Sequence, residues 1–453
     1  MIFSRERDFY KQTIRLTFFI ALQNVIVCFV GLADNVMIGA YSQDALSGVA
    51  LANQYQFLLQ MVVGGVGEGM VVIAAQYWGT KRLQPIRCVM GIAMEAAVAL
   101  GILFWIAAQL CPTAMLGLLS SDAAAVSQGV DYLRIVSYSY VFFCASMVLV
   151  CAQRSIENVR IGMLSSSAGL AVNIGLNWVL IFGHLGAPRL GAAGAAIATL
   201  IARGVECGVV AFFTFRIDRK LACAIRRFLF PDPKLLKDFL RVASPVALSG
   251  ASWGIAQGIQ MGILGHMGSS AIAASAVANS LFQVVSVVAY GMANASAVII
   301  GKAVGRNERT ELKGYVNSLQ LMYLIVGALS GLMLFLLKDW VLSLYAVTLE
   351  ARNMAEGFMM VLSVTLVGTA YQCSCLSGIV RGGGNTKFTF YNDLIFMWGI
   401  VLPLSLLAAF VWKWNPVVVF FCLKSDQLTK CLVAAWQVNS YHWVRKVTRD
   451  EEK

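Results

Sequence analysis

The chain has 453 residues, 59 % of them hydrophobic and 13 % charged, and its mean hydropathy is +0.73. A soluble domain runs nearer ~45–50 % apolar and ~25 % charged, so this chain lacks the charge to cover a water-facing surface of its size. That excludes a soluble protein, and the net charge of +12 becomes a question of placement before it is evidence for a nucleic-acid partner.

The N-terminus, MIFSRERDFYKQTIRL, carries charges of both signs and no small-residue cleavage site ahead of the first long apolar run, which predicts a retained span and not a signal peptide. A bilayer-crossing helix needs ~20 mostly apolar residues. Twelve such runs follow in order, near 12–38, 46–75, 88–110, 125–152, 161–183, 191–215, 240–266, 271–301, 314–337, 354–380, 388–412 and 416–441. The longest polar connector, FRIDRKLACAIRRFLFPDPKLLKDFLR with Pro231 and Pro233 at its centre, splits them six and six. Open sheet edges cannot sit in lipid, so the expected fold is an all-α integral membrane protein, twelve transmembrane helices in two six-helix lobes with a central cleft. The expected layout is an N-terminal lobe at 1–215, a cytoplasmic connector at 216–239, a C-terminal lobe at 240–441 and a cytoplasmic tail at 442–453.

Placed on this layout, 27 of the 35 Lys and Arg fall on one side, including Arg5, Arg7, Lys81, Arg154 and Arg445, against Arg189, Lys338, Arg352 and Lys413 on the other. Cytoplasmic loops carry the excess of Lys and Arg, so both termini are expected in the cytoplasm of a cell with this protein in its inner membrane. Topology then accounts for the basic balance without nucleic acid. Eleven Cys, mostly inside apolar runs, give no disulfide framework, and Cys373-x-Cys375 has no His partner for a metal.

Sliding the chain over itself by 226 residues aligns 33–82 with 259–308, with ten of fifty positions identical, among them Gly39/Gly265, Asn53/Asn279, Gly65/Gly291 and Gly79/Gly305. Upstream, Ala21-Leu22 falls on Ala247-Leu248. Such self-similarity marks an internal repeat. Six helices is an even number, so both repeats enter the membrane from the same side, and substrate would bind between them near the midplane.

The segments ADNVMIGAYSQDALSGVALAN (33–53), NIGLNWVLIFG (173–183), LGAAGAAIAT (190–199), AIAASAVANS (271–280) and GIVRGGGNTKF (378–388), in that order on twelve spans, resemble multidrug and toxic-compound extrusion (MATE) transporters along essentially the whole chain. The resemblance implies a secondary antiporter that exports organic, often cationic, amphipathic compounds in exchange for H⁺ or Na⁺, needing no cofactor and acting as a monomer in the lipid bilayer. It also implies a cation-coupling set of Asp34 on the first helix, Asn173 and Asn177 on the fifth and Thr199 on the sixth. Three departures bear on mechanism. Asn177 stands where some relatives carry a second Asp, Phe19 stands where many have a proline, and the spans 240–266 and 357–380 hold no acid. Coupling is therefore expected in the N-terminal lobe, with a helix kink left only at Pro245 on the seventh helix.

The residues support a similar reading by themselves. A charged group at the bilayer centre costs ~2.5–3.5 kcal/mol on insertion scales, so each calls for a reason. Acids occur within or near spans at Asp34, Glu68, Glu95, Asp131, Glu206, Asp393 and Asp426. Asp34, deep in the first span beyond Gln23-Asn24, is able to hold a proton or Na⁺; the bland alternative is a locally hydrogen-bonded acid near the outer interface. Asn173 and Asn177 share a helix face at i,i+4, which also suits simple interhelical bonding. Arg203 with Glu206, and Asp426 with Lys430 (Lys424 nearby), are spaced as in-span charge pairs that either brace a lobe or act in gating. The substrate cleft is expected to involve Gln56, Glu68, Trp253, Gln257, Gln260, Asn279 and Tyr290, with Met61, Met70, Met261, Met292 and Phe57, because Met and aromatic faces suit varied cationic rings. Arg381-Gly382-Gly383-Gly384 is a helix-connecting turn and not a phosphate loop, since no strand precedes it and no Lys-Ser/Thr follows. The rivals are a lipid-precursor flippase, which would need a cationic cleft, and a membrane-embedded enzyme, which His184, His266 and His442 are badly placed to serve.

Overall fold

In hydrocarbon, backbone polar groups have only one another as partners, so a chain this apolar closes its hydrogen bonds within helices. The computed structural model describes residues 3–4, 6–117, 123–222, 232–345 and 348–449, and among these it is helical with no strand. Arg5, the connector centre with Arg226, Arg227 and Pro231, and tail residues 450–453 lie outside the described residues. The long helices are α1 (Arg7–Tyr41), α2 (Gln43–Gly79), α3 (Leu83–Leu110), α4 (Ala123–Ser155, with a 3-10 turn at Ser137–Ser139), α5 (Arg160–Phe182) and α6 (Ala192–Asp218). After the connector come α7 (Pro233–His266), α8 (Ser269–Arg306), α9 (Arg309–Leu344), α10 (Leu349–Val380), α11 (Thr386–Val411) and α12, formed by Pro416–Lys424 and Asp426–Ser440.

Ten of these are long and apolar enough to cross a membrane by themselves; α7 and α12 are not. In α7 the charges of Lys234, Lys237, Asp238 and Arg241 fill the first turns, and Gly, Ser and Gln dilute the rest. In α12 the helix breaks at Ser425, whose hydroxyl donates back to the Cys422 carbonyl (2.8 Å). Both lie where the sequence places spans. The helices overrun the apolar runs, as α8 does to Arg306, because water satisfies the polar turns beyond the hydrocarbon. Their starts are capped as expected: Asn415 accepts from the Val417 N–H ahead of Pro416, and Thr348 accepts from the Ala351 N–H. Wider π-wound turns close α6 (Phe213–Asp218) and α10 (Ser374–Val380) and interrupt α11 (Ile395–Val401).

The chain forms two compact units. One comprises residues 22–74 and 82–247; the other comprises 1–21, 75–81 and 248–453. Thus α1 changes unit at Ala21/Leu22 and α7 at Ala247/Leu248, which are the repeat-related positions, and the change in α7 comes two residues after Pro245.

Glycines show why. In the first unit Gly65 of α2 lies so close to α7 that a Cβ there would come within 2.5 Å of the Ala247 Cα. In the second, Gly291 of α8 lies against Ala21 of α1, 3.2 Å from its Cβ by the same measure. These two contacts interchange under the 226-residue offset. So do a second pair within the second unit, where Gly79 meets the Lys302 carbonyl and Gly305 meets the Gln76 carbonyl. The internal repeat is therefore written into the packing as reciprocal close crossings of small residues. Elsewhere in the second unit, stacked Phe358 and Phe420 (ring centroids 4.2 Å apart) centre an apolar core with Leu334, Met359 and Val401.

Forcing side chains into these crossings should cost stability. Gly65→Val is expected to lower the unfolding free energy by ~1–3 kcal/mol, whereas Gly204→Ala on α6, with open space at its Cβ, should leave it unchanged; thermal unfolding of the detergent-solubilised protein reads both.

Candidate functional site

Asp34 lies seven residues before the end of α1, Asn177 five before the end of α5 and Thr199 seven after the start of α6. At 1.5 Å per residue each is ~8–10 Å from its helix end. The four residues expected to couple a cation form one continuous chain of side-chain hydrogen bonds inside the first unit. Asn177 Nδ2 donates to Asp34 Oδ1 (2.5 Å) and to Asn173 Oδ1 (3.2 Å), and Asn173 Nδ2 donates to Thr199 Oγ1 (3.3 Å). Both asparagines are fully buried, Thr199 nearly so, and Asp34 is half-buried. With both amide hydrogens of Asn177 directed at Asp34 and Asn173, its own Oδ1 is left buried with no hydrogen-bond partner. An unpaired buried acceptor costs ~1–3 kcal/mol. Here it sits beside a carboxylate, where a cation or a proton donor would relieve it. Tyr132 of α4, buried, interacts with Thr199 and lies within the electrostatic reach of Asp34. Nothing in its local sequence separates Tyr132 from a tyrosine buried for packing alone.

One turn beyond Thr199, Arg203 Nη1 bonds Glu206 Oε2 (2.9 Å), while Glu206 Oε1 accepts from Ser166 of α5 (3.1 Å) and the Arg203 guanidinium stacks over Phe143 (5.1 Å). The i,i+3 pair therefore also ties α6 to α4 and α5.

Glu68, expected at the substrate cleft, has a partner within its own unit. It forms a 2.5 Å ion pair with Arg154 of α4, and both side chains are largely buried. Its charge is neutralised within the unit, and sequence spacing could not have shown a partner 86 residues away. Among the other expected cleft residues, Gln260 is buried with Nε2 on the Met397 sulfur (3.4 Å), and Met70 and Met292 lie in the core, so none of these three offers surface to a substrate in this structure. Apolar packing along i,i+3/i+4 stripes claims them. Trp253, Tyr290 and Met261 keep exposed faces, and Gln56, Gln257 and Asn279 are half-buried, Asn279 donating to Ser275 one turn earlier (3.1 Å).

In the second unit the expected Asp426–Lys430 pair forms (3.2 Å) and gains a third member. Lys430 Nζ also bonds Asp393 Oδ1 on α11 (3.1 Å), whose Oδ2 accepts from Ser249 of α7 (2.7 Å). Asp426 accepts from Gln427, which in turn accepts from Gln372 of α10. Lys424 sits over the Phe420 ring (5.7 Å) instead of joining the triad.

Against known proteins, the MatE family profile matches residues 20–179 and 245–407, two stretches starting 225 residues apart. The chain belongs to the MATE family of transporters. The double match agrees with the repeat. Relatives include a probable multidrug resistance protein NorM of Thermotoga maritima, 23 % identical and matched over 87 % of this chain and 84 % of its own, and the probable multidrug resistance protein YoeA of Bacillus subtilis, 24 % identical over 85 % and 83 %. Among solved structures, an outward-facing multidrug resistance MATE family transporter superposes with a TM-score of 0.85 at 19 % identity, covering 95 % of this chain and 96 % of the other. A point variant of the Vibrio cholerae MATE transporter VcmN gives 0.87 at 17 % identity, covering 97 % and 98 %. MATE proteins are multi-pass membrane transporters of small molecules and not enzymes, which sets the enzyme alternative aside.

The buried triad sets a stability prediction. Lys430→Met leaves Asp426, 3 % exposed, without its counter-ion and should destabilise the protein by ~3–5 kcal/mol. Asp393→Asn, at a half-exposed position, should cost well under half of that, as measured by denaturation in detergent.

Proposed function

We propose that this MATE protein is a secondary antiporter of the cell membrane, with both termini cytoplasmic, that exports organic cations and amphipathic compounds in exchange for H⁺ or Na⁺. The coupling cation is held by Asp34, Asn173, Asn177 and Thr199, and the two six-helix repeats, 1–215 and 240–441, move against one another to alternate access. The observation that carries this reading is the hydrogen-bonded chain from Asp34 to Thr199 with an acceptor oxygen left over. A ligand shifts an equilibrium only by its unequal affinity for two states. A carboxylate on α1 bridged to amides on α5 supplies that inequality, because any movement of α1 against α5 makes or breaks the site.

The unpartnered Asn177 Oδ1 favours a metal cation over a bare proton. A hard monovalent ion takes several oxygen ligands at once, and carboxylate, amide carbonyl and hydroxyl oxygens are all present. A proton on Asp34 would satisfy one oxygen only. The flippase alternative is less well supported: Arg154, Arg203 and Lys430 are each engaged by a carboxylate, which leaves them poor holders of a diphosphate.

The test is ethidium efflux in everted vesicles with ΔpH and ΔNa⁺ imposed separately. Asp34→Asn should lower gradient-driven efflux ~10–100-fold, and Asn177→Leu should raise the Na⁺ concentration needed for half-maximal efflux by a similar factor. Normal efflux by Asp34→Asn would overturn the coupling site, and efflux driven by neither gradient would overturn antiport.

A further inference from the structure

After α12, residues 441–449 fold back against the protein. Tyr441 turns it with a positive φ of 56°, and Trp443 is fully buried, its indole N–H on the Val438 carbonyl (2.8 Å). Its ring occupies the space that a side chain at Gly383 would need. From there the backbone is held at alternate residues. The Arg445 N–H donates to the Gly383 carbonyl (2.8 Å), and the Arg445 carbonyl accepts from Gln76 Nε2 (3.0 Å). The Val447 N–H donates to Gln76 Oε1 (2.8 Å), and the Arg449 N–H donates to the Tyr77 hydroxyl (3.2 Å). Gln76 is fully buried and uses both ends of its amide on this one segment, as a neighbouring strand would.

Residues 43–74 of α2 belong to one compact unit and residues 75–81 to the other. The segment 441–449 therefore clamps the last turn of a helix from the first repeat to the turn 381–385 between α10 and α11 of the second. The Gly79/Lys302 and Gly305/Gln76 crossings hold the same turn against α8. The crossings are backbone contacts that can slide apart; the amide clamp is directional and has to be broken.

We propose that residues 441–449 are a strap that holds the last turn of α2 to the α10–α11 turn and has to release Gln76 each time transport moves that turn. The inference rests on the alternating-access reading, and it goes beyond it in assigning the C-terminal segment to the control of one face. On the proposed topology that face is cytoplasmic, so the strap limits the fraction of molecules able to take substrate from the cytoplasm. Apparent affinity falls by that fraction, and loosening the strap should restore it.

Hydrogen–deuterium exchange on the full-length protein in nanodiscs, paired with ethidium efflux kinetics, tests this on wild type, Gln76→Ala and Val447→Pro. The proline variant removes one strap donor without touching the buried glutamine. In wild type the 441–449 peptide should exchange at least ~10-fold more slowly than a free tail. Either variant should speed that exchange ~10-fold and lower the half-saturating ethidium concentration at the cytoplasmic face about threefold. Fast exchange in wild type would overturn the proposal, as would variants that exchange faster while half-saturation stays unchanged or rises. Should Gln76→Ala not fold, Val447→Pro alone decides. Asp34→Asn should leave strap exchange as in wild type, so a failure of the antiport reading would appear in efflux and not here.

Discussion

Close approach between helices at glycine is the constraint on which the rest of this structure depends. Lipid provides no hydrophobic drive for helices to associate, so contact has to come from shape, and shape at such distances tolerates no side chain. Gly65 against Ala247 and Gly291 against Ala21 bring α2 to α7 and α8 to α1 at positions that interchange under one offset. They also place the points at which α1 and α7 pass from one compact unit to the other. In α7 that point follows Pro245, where a backbone hydrogen bond is already missing. In α1 no proline stands near, so the same passage is made by a regular helix.

With the helices so placed, the polar groups inside them sort by partner. Most in-span charges are spent on one another: Glu68 on Arg154, Glu206 on Arg203, Asp426 and Asp393 on Lys430. Each pair lowers the cost of burying its members, and each also pins two or three helices. Asp34 stands apart. Its bonded neighbours on α5 are neutral amides, so its charge is solvated but not cancelled. The proposed coupling site needs that arrangement, since a fixed counter-ion would occupy it permanently.

Much of this was legible in the sequence. The helices fall close to the apolar runs because the hydrocarbon thickness sets their length. The chain of Asp34, Asn177, Asn173 and Thr199 was readable because i,i+4 spacing places the asparagines on one face and the family resemblance supplies the rest. What was not legible involves partners far apart in the chain. Arg154 for Glu68, Asp393 for Lys430 and the Tyr132 contact with Thr199 have no local signature, and Gln260, Met70 and Met292 looked available only because a stripe of residues does not say which side it buries.

The amino-acid sequence by itself determined that this chain is a membrane-spanning bundle of helices, that stretches of it recur at an offset of 226 residues, and that Asp34 is an acid within a span. Composition and period are enough for that, because the bilayer imposes its own length and polarity on any chain that crosses it. Tertiary structure alone decided which charges cancel, where helices change unit, and that residues 445–447 return to grip Gln76. Those outcomes depend on distances between segments hundreds of residues apart, and such distances exist only once the helices have packed.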